Sequence, residues 1–151
     1  MVAVVEGSPG VEVGMVGREG ILDAHVALGV ATAPLHALVQ GVGSARSIGA
    51  VAFRRELAHS TALQQGVNHY LYVLLSQLAT SAACLRFHLI GPRLARWLLM
   101  SEDRSHSKSF PVTQEFLAYR LGVRRVGIIA AAGVLQRAGL FEYHRGELTG
   151  A

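Results

Sequence analysis

Cysteine is nearly missing from this 151-residue chain: Cys84 is the only one. No internal disulfide can form, which fits a reducing, cytoplasmic setting. Cys84 and His88 lie four apart on one helix face, but a zinc site needs three or four ligands and no other ligand pair is in view. The N-terminus lacks the basic patch, apolar run and cleavage site of a secretory signal. The glycines form neither a dinucleotide fingerprint nor a phosphate-binding loop and read as turn residues. No nucleophile–base pair or paired carboxylates stand out, so no enzymatic activity is expected. Charge is absent between Glu56 and Arg86, which raises the possibility of a membrane span. Against it, Gln64, Gln65, Asn68, Ser76, Gln77, Thr80 and Ser81 interrupt a stretch that would need about 20 predominantly apolar residues.

What is present centres on Val112–Leu140. Thr113 can cap a helix with Gln114 and Glu115 in its first turn, where a carboxylate suits the helix dipole. Phe116, Leu117 and Leu121 supply an apolar face, and Gly122 stops the helix. A second helix starts near Arg124, buries Ile128, Ala132 and Leu135, and ends at Gly139. Helix, tight glycine turn, helix is the helix-turn-helix pattern, whose second helix can enter a DNA major groove. A helical hairpin in some larger core would read the same way. Charge separates the two: residues 1–90 are balanced, and the whole net charge of +4 falls in residues 91–151, the footprint of a polyanion binder.

Upstream, Met1–Val5, Val11–Val16, Leu35–Gln40 and Ala45–Ile48 read as short strands between glycine turns at Gly7–Gly10, Gly17–Gly20 and Gly41–Gly43. Ile21–Leu28 reads as a short helical stretch and Ala50–Ala58 as a short helix. Ser60 or Thr61 then caps a helix of roughly 40 Å over Leu63–Leu89. Two apolar stripes run along it at spacings of four and three. The first, Leu63, Val67, Tyr70, Leu74, Gln77 and Ser81, is expected to form a dimer seam. The second, Leu71, Leu75, Leu78, Ala82, Leu85 and Leu89, would pack on its own domain. Gly91-Pro92 should break the helix, Arg93–Ser101 start another with Leu94, Trp97 and Leu98 inward, and Ser101–Ser109 form a loop. Phe141–Tyr143 and Glu147–Thr149 read as a hairpin, which beside a helix-turn-helix makes a winged one with Arg145 at its tip.

These stretches resemble the Crp/Fnr family of bacterial transcription regulators. The likeness rests on Arg93–Met100, Pro111–Ala118, Leu121–Arg125, Leu135–Phe141 and, upstream, Val11–Gly20. It implies an α+β chain in three parts: a partial sensor β-roll of the cyclic-nucleotide-binding type over residues 1–59, a dimerisation helix over 60–90, and a C-terminal winged helix-turn-helix over 91–151. It implies a homodimer on a two-fold double-stranded DNA site, with RNA polymerase as a further partner and no membrane. Several strands of such a roll would precede the position of Met1, so the chain reads as N-terminally truncated. Gly17-Arg18-Glu19-Gly20 and Ala31-Thr32-Ala33-Pro34 lack the phosphate-binding arginine of cyclic-nucleotide sensors. Cys84 alone cannot carry an iron–sulfur cluster, so no cofactor is expected and the effector stays open.

The recognition helix would place Arg124 and Arg125 at its start, where base contacts are made. Arg125 matches the position at which family members commonly carry a base-reading arginine. Val126 and Ala130 stand where better-known members have polar readers, and can touch only thymine methyls. Thr113, Gln114, Arg120 and Arg145 are expected phosphate contacts. The alternative is a remnant that pairs with a full-length relative through Leu63–Leu89 and neither senses nor binds DNA.

Overall fold

The protein is described from a computed structural model covering residues 1–4, 6, 10–105, 109–144 and 147–150. Helices dominate. Among the described residues, the N-terminal part holds one two-stranded antiparallel ribbon, β1 (Val2–Ala3) with β2 (Val11–Glu12), Val2 pairing with Glu12. The turn at Gly17–Gly20 forms, the Gly20 amide donating to the Gly17 carbonyl, and a 3-10 helix follows at Ala24–Leu28.

The strands expected at Leu35–Gln40 and Ala45–Ile48 do not form. That region makes a single bridge, His36 with Val2, and then runs exposed through Val39 and Val42. A strand needs a partner to take up its amides and carbonyls, and the two-residue edge of β1 offers none beyond His36.

Helix α1 (Ala50–His59) leads into α2 (Thr61–Phe87), which Ser60 caps by accepting from the Leu63 amide at 3.2 Å. The break after α2 falls at His88–Leu89, earlier than Gly91-Pro92. Helix α3 (Ile90–Ser105) starts ahead of Pro92 and continues past Ser101. Pro92 is tolerated because first-turn amides have no intrahelical acceptor. The extension through the expected loop has its own anchors: Ser101 is buried, its hydroxyl contacting the Met15 sulfur and accepting from Gln40.

Strand β3 (Ser109–Pro111), α4 (Gln114–Leu121), α5 (Arg125–Arg137), β4 (Phe141–His144) and β5 (Glu147–Gly150) complete the chain. The three strands make an antiparallel sheet in the order β3-β5-β4. Pro111 sits on the edge strand, where its missing amide is harmless. One core joins these parts: Leu94, Trp97 and Leu98 of α3 meet Leu117 and Leu121 of α4, Ile128 and Ala132 of α5, Phe141 of β4, and Met15 from the N-terminal segment.

Helix α2 turns the expected dimer seam inward. Val67 and Ser81 are buried, and Leu63, Tyr70, Leu74 and Gln77 half-buried, within one chain. Gln77 Oε1 accepts from the Met15 amide at 2.7 Å, and Arg96 donates to the Ser81 hydroxyl at 3.1 Å. The second stripe is more open, with Leu75 65% exposed and Ala82 and Leu85 exposed, though Leu71 and Leu78 are half-buried. No helix among the described residues is long and apolar enough to cross a membrane.

Candidate nucleic-acid interface

The helix pair forms as its sequence requires. Thr113 Oγ1 accepts from the Phe116 amide at 3.1 Å, closing the N-terminus of α4. Gly122 ends α4 in the left-handed region, φ 62°, and its amide returns to the last turn. An L side chain there would be strained. Val123 and Arg124 complete the turn, and α5 begins at Arg125 with Arg124 as its cap residue. A Cβ at Gly127 would lie 2.5 Å from Ile90 Cδ1, so any other residue there would make the Ile90 side chain at the start of α3 turn aside. Tyr143 of β4 donates to the Val112 carbonyl at 2.9 Å, tying the sheet to the chain entering α4.

Helix α5 buries Ile128, Ala131 and Ala132 and presents Arg124, Arg125, Val126, Ile129, Ala130, Val134 and Arg137 to solvent. Arg124, Arg125, Val126 and Ala130 therefore lie together on one accessible surface. Thr113 is exposed and Gln114 half-exposed at the start of α4. Arg145 lies outside the described residues.

Arg120 does not belong to this surface. Its side chain is 1% exposed, and its Nη1 lies 3.2 Å from Oε2 of Glu12, itself 7% exposed. Its guanidinium also stacks over the Phe116 ring at 4.7 Å. A cation so enclosed cannot reach a phosphate, and it instead ties α4 to β2. Burial pushes the Glu12 carboxyl above the usual carboxylate range, with Arg120 and a hydrogen bond from the Trp97 indole acting in the opposite sense. Sequence reading missed Glu12, though both partners carry a signal. Arg120 stands three residues after Leu117 and one before Leu121, on the apolar face of α4, and Glu12 sits between Val11 and Val13.

The cationic excess of residues 91–151 is divided in the same way. Arg93 donates to the Leu121 carbonyl at the C-terminal end of α4, a placement that suits the negative end of the helix dipole, and burial lowers its pKa. Arg96 binds Ser81, while Arg104 donates to the Met100 carbonyl and lies 3.8 Å from Glu19. These arginines fasten α3 to its neighbours. Arg124, Arg125 and Arg137 are the ones turned to solvent at α5. No cluster of metal-ligating side chains occurs among the described residues.

Residues 92–149 match the Crp-like helix-turn-helix domain family. A solved structure described as a transcriptional regulator of the Crp/Fnr family from Eubacterium rectale is similar at 21% identity with a TM-score of 0.49, over 67% of this chain and 47% of that one. The chain thus spans about half the length of that structure. No curated protein matches. Residues 92–149, from α3 through β5, form a Crp-like helix-turn-helix domain.

Proposed function

We propose that the chain acts as a homodimer on a two-fold DNA site, with α5 as the recognition helix and β4–β5 as the wing. The observation that carries this reading is the outward face of α5, open to solvent and bordered by Arg124, Arg125 and Arg137 in a Crp-like helix-turn-helix. Thr113 and Gln114 at the start of α4 are the phosphate contacts on this reading, and Arg125 is the base reader. Residues 1–59 form an N-terminal module, 60–90 the dimer helix and 91–151 the DNA-binding unit, in a cytoplasmic regulator rather than an enzyme.

The more open side of α2, at Leu75 and Leu85, supplies the dimer seam on this reading, because the first stripe is already largely covered within the chain. Two recognition helices held across such a seam would meet half-sites about 34 Å apart.

The test is a selection from random double-stranded DNA followed by binding at increasing salt. A shift that weakens steeply with salt supports the reading, and Arg125→Ala is expected to relax sequence preference at one position of each half-site. Absence of salt-sensitive binding to any sequence, with co-purification of a longer relative, would favour a chain that only dimerises.

A further inference from the structure

The outward face of α5 is unusual for a surface that reads bases. Val126, Ile129, Ala130, Gly133 and Val134 follow one another at spacings of three, one, three and one, which puts them on a single stripe. Val126 is 68% exposed, Ile129 47% and Val134 57%. None of the five has a side chain that can donate or accept a hydrogen bond. From Val126 to Val134 the stripe covers roughly 12 Å of helix, about three to four base-pair steps.

Resting on the DNA-binding reading above, we infer that this helix recognises its site mainly through thymine methyl groups, with guanine contacts confined to its N-terminal end. In the major groove the C5-methyl of thymine is the apolar group on a base edge; the other features are hydrogen-bond donors and acceptors. An apolar stripe pressed against a donor or acceptor without thymine would strand a desolvated polar group. The same stripe against methyl groups removes apolar surface from water on both partners. Charge selects DNA as the occupant over an apolar protein groove. Helix α5 contains no acidic residue, and Arg124, Arg125 and Arg137 border the stripe, so the face is complementary to a polyanion. Arg125 begins the helix, placed for a bidentate contact to guanine O6 and N7. The preferred half-site is a guanine followed by a short thymine-bearing run.

The purified full chain is titrated with its best selected site, with individual thymines replaced by deoxyuridine. That change preserves every hydrogen-bonding edge and removes only the 5-methyl group. Each thymine facing the stripe is expected to cost roughly fourfold in affinity when demethylated, the worth of one buried carbon. At the same positions 5-methylcytosine should bind more tightly than cytosine. Val126→Ala and Ile129→Ala, at solvent-facing positions, should each remove the deoxyuridine penalty at one thymine.

Affinity indifferent to deoxyuridine throughout the half-site overturns the inference and leaves the DNA-binding reading standing. Failure to bind any DNA in a salt-sensitive way overturns both. If Val126→Asp changes the oligomeric state and leaves DNA affinity intact, the stripe belongs to a second copy of the chain, and the inference is overturned.

Discussion

Arg120 and Glu12 have side chains that are 1% and 7% exposed, so neither ion is hydrated by bulk water and each depends on the other. Removing one partner of a buried pair typically costs about 3–5 kcal/mol, because the survivor keeps its desolvation penalty. The two removals should differ here. Glu12→Gln removes the titrating carboxyl and leaves a guanidinium that cannot shed its proton, so its deficit against the parent, whose raised Glu12 favours folding when protonated, should not shrink as pH falls. Arg120→Met leaves a carboxyl already displaced upward by burial, and loss of the cation moves it further. A carboxyl whose folded pKa exceeds its unfolded one favours folding in the protonated form. Its stabilising contribution is complete below the ordinary carboxylate pKa and is lost as pH rises through the raised value. Arg120→Met should therefore recover stability relative to the parent as pH falls from 8 toward 5. Urea midpoints of both variants against the parent would check this, and parallel pH profiles for the two would contradict it. The pair also shows what a local pattern leaves open. Arg120 lies on the apolar face of α4, a signal that it is buried, but its partner lies more than a hundred residues away on β2. No spacing within one helix indicates which distant side chain will meet it.

Helix α2 poses the corresponding problem for an element. Its length and N-cap are legible because capping and 3.6-residue periodicity are local. Its two stripes both carry the spacing of a seam, and periodicity cannot tell which is covered by the same chain. That depends on the segment around Gly14–Gly20, whose glycines let backbone approach Gln77 and Tyr70; a Cβ at Gly14 would lie 2.8 Å from Gln77 Oε1. The failed strands at Leu35–Gln40 and Ala45–Ile48 have the same cause, since β character is realised only where a partner edge exists. The helix pair, by contrast, forms at the positions its cap, glycine stop and apolar face indicate, because those determinants are all local. The difference in cover between the two stripes leads to a paired expectation. Leu75→Glu, on the more open stripe, should shift the chain toward monomer in sedimentation while leaving its thermal midpoint nearly unchanged. Gln77→Leu, on the inward stripe, leaves the Met15 amide without its acceptor and should cost about 1–3 kcal/mol of stability with the oligomeric state preserved. The reverse pattern would return the seam to the inward stripe.

At the scale of the whole molecule, net charge alone would overestimate the DNA-binding surface. The excess of +4 lies entirely in residues 91–151, yet Arg93, Arg96, Arg104 and Arg120 bind partners inside the protein. Arg124, Arg125 and Arg137 are left at α5, and the proposed hairpin contact Arg145 would add one more. Counterion release makes log affinity fall with log salt at a slope of about −0.9 per neutralised phosphate. With Arg125 on a base, a dimer using two or three of these arginines per protomer on phosphates should then give a slope of roughly −4 to −5. Had the four inward arginines reached phosphates as well, the slope would lie at about −11 to −13. Anisotropy titrations between 50 and 200 mM salt, roughly the range over which such slopes are read, separate the two. Within the same series Arg137→Gln should flatten the slope by about 2, one contact from each protomer. Arg96→Gln should leave it unchanged, because that side chain holds α3 to Ser81 rather than facing solvent. A steep slope that flattens with Arg96→Gln would mean that the α3 arginines leave their internal partners when DNA binds.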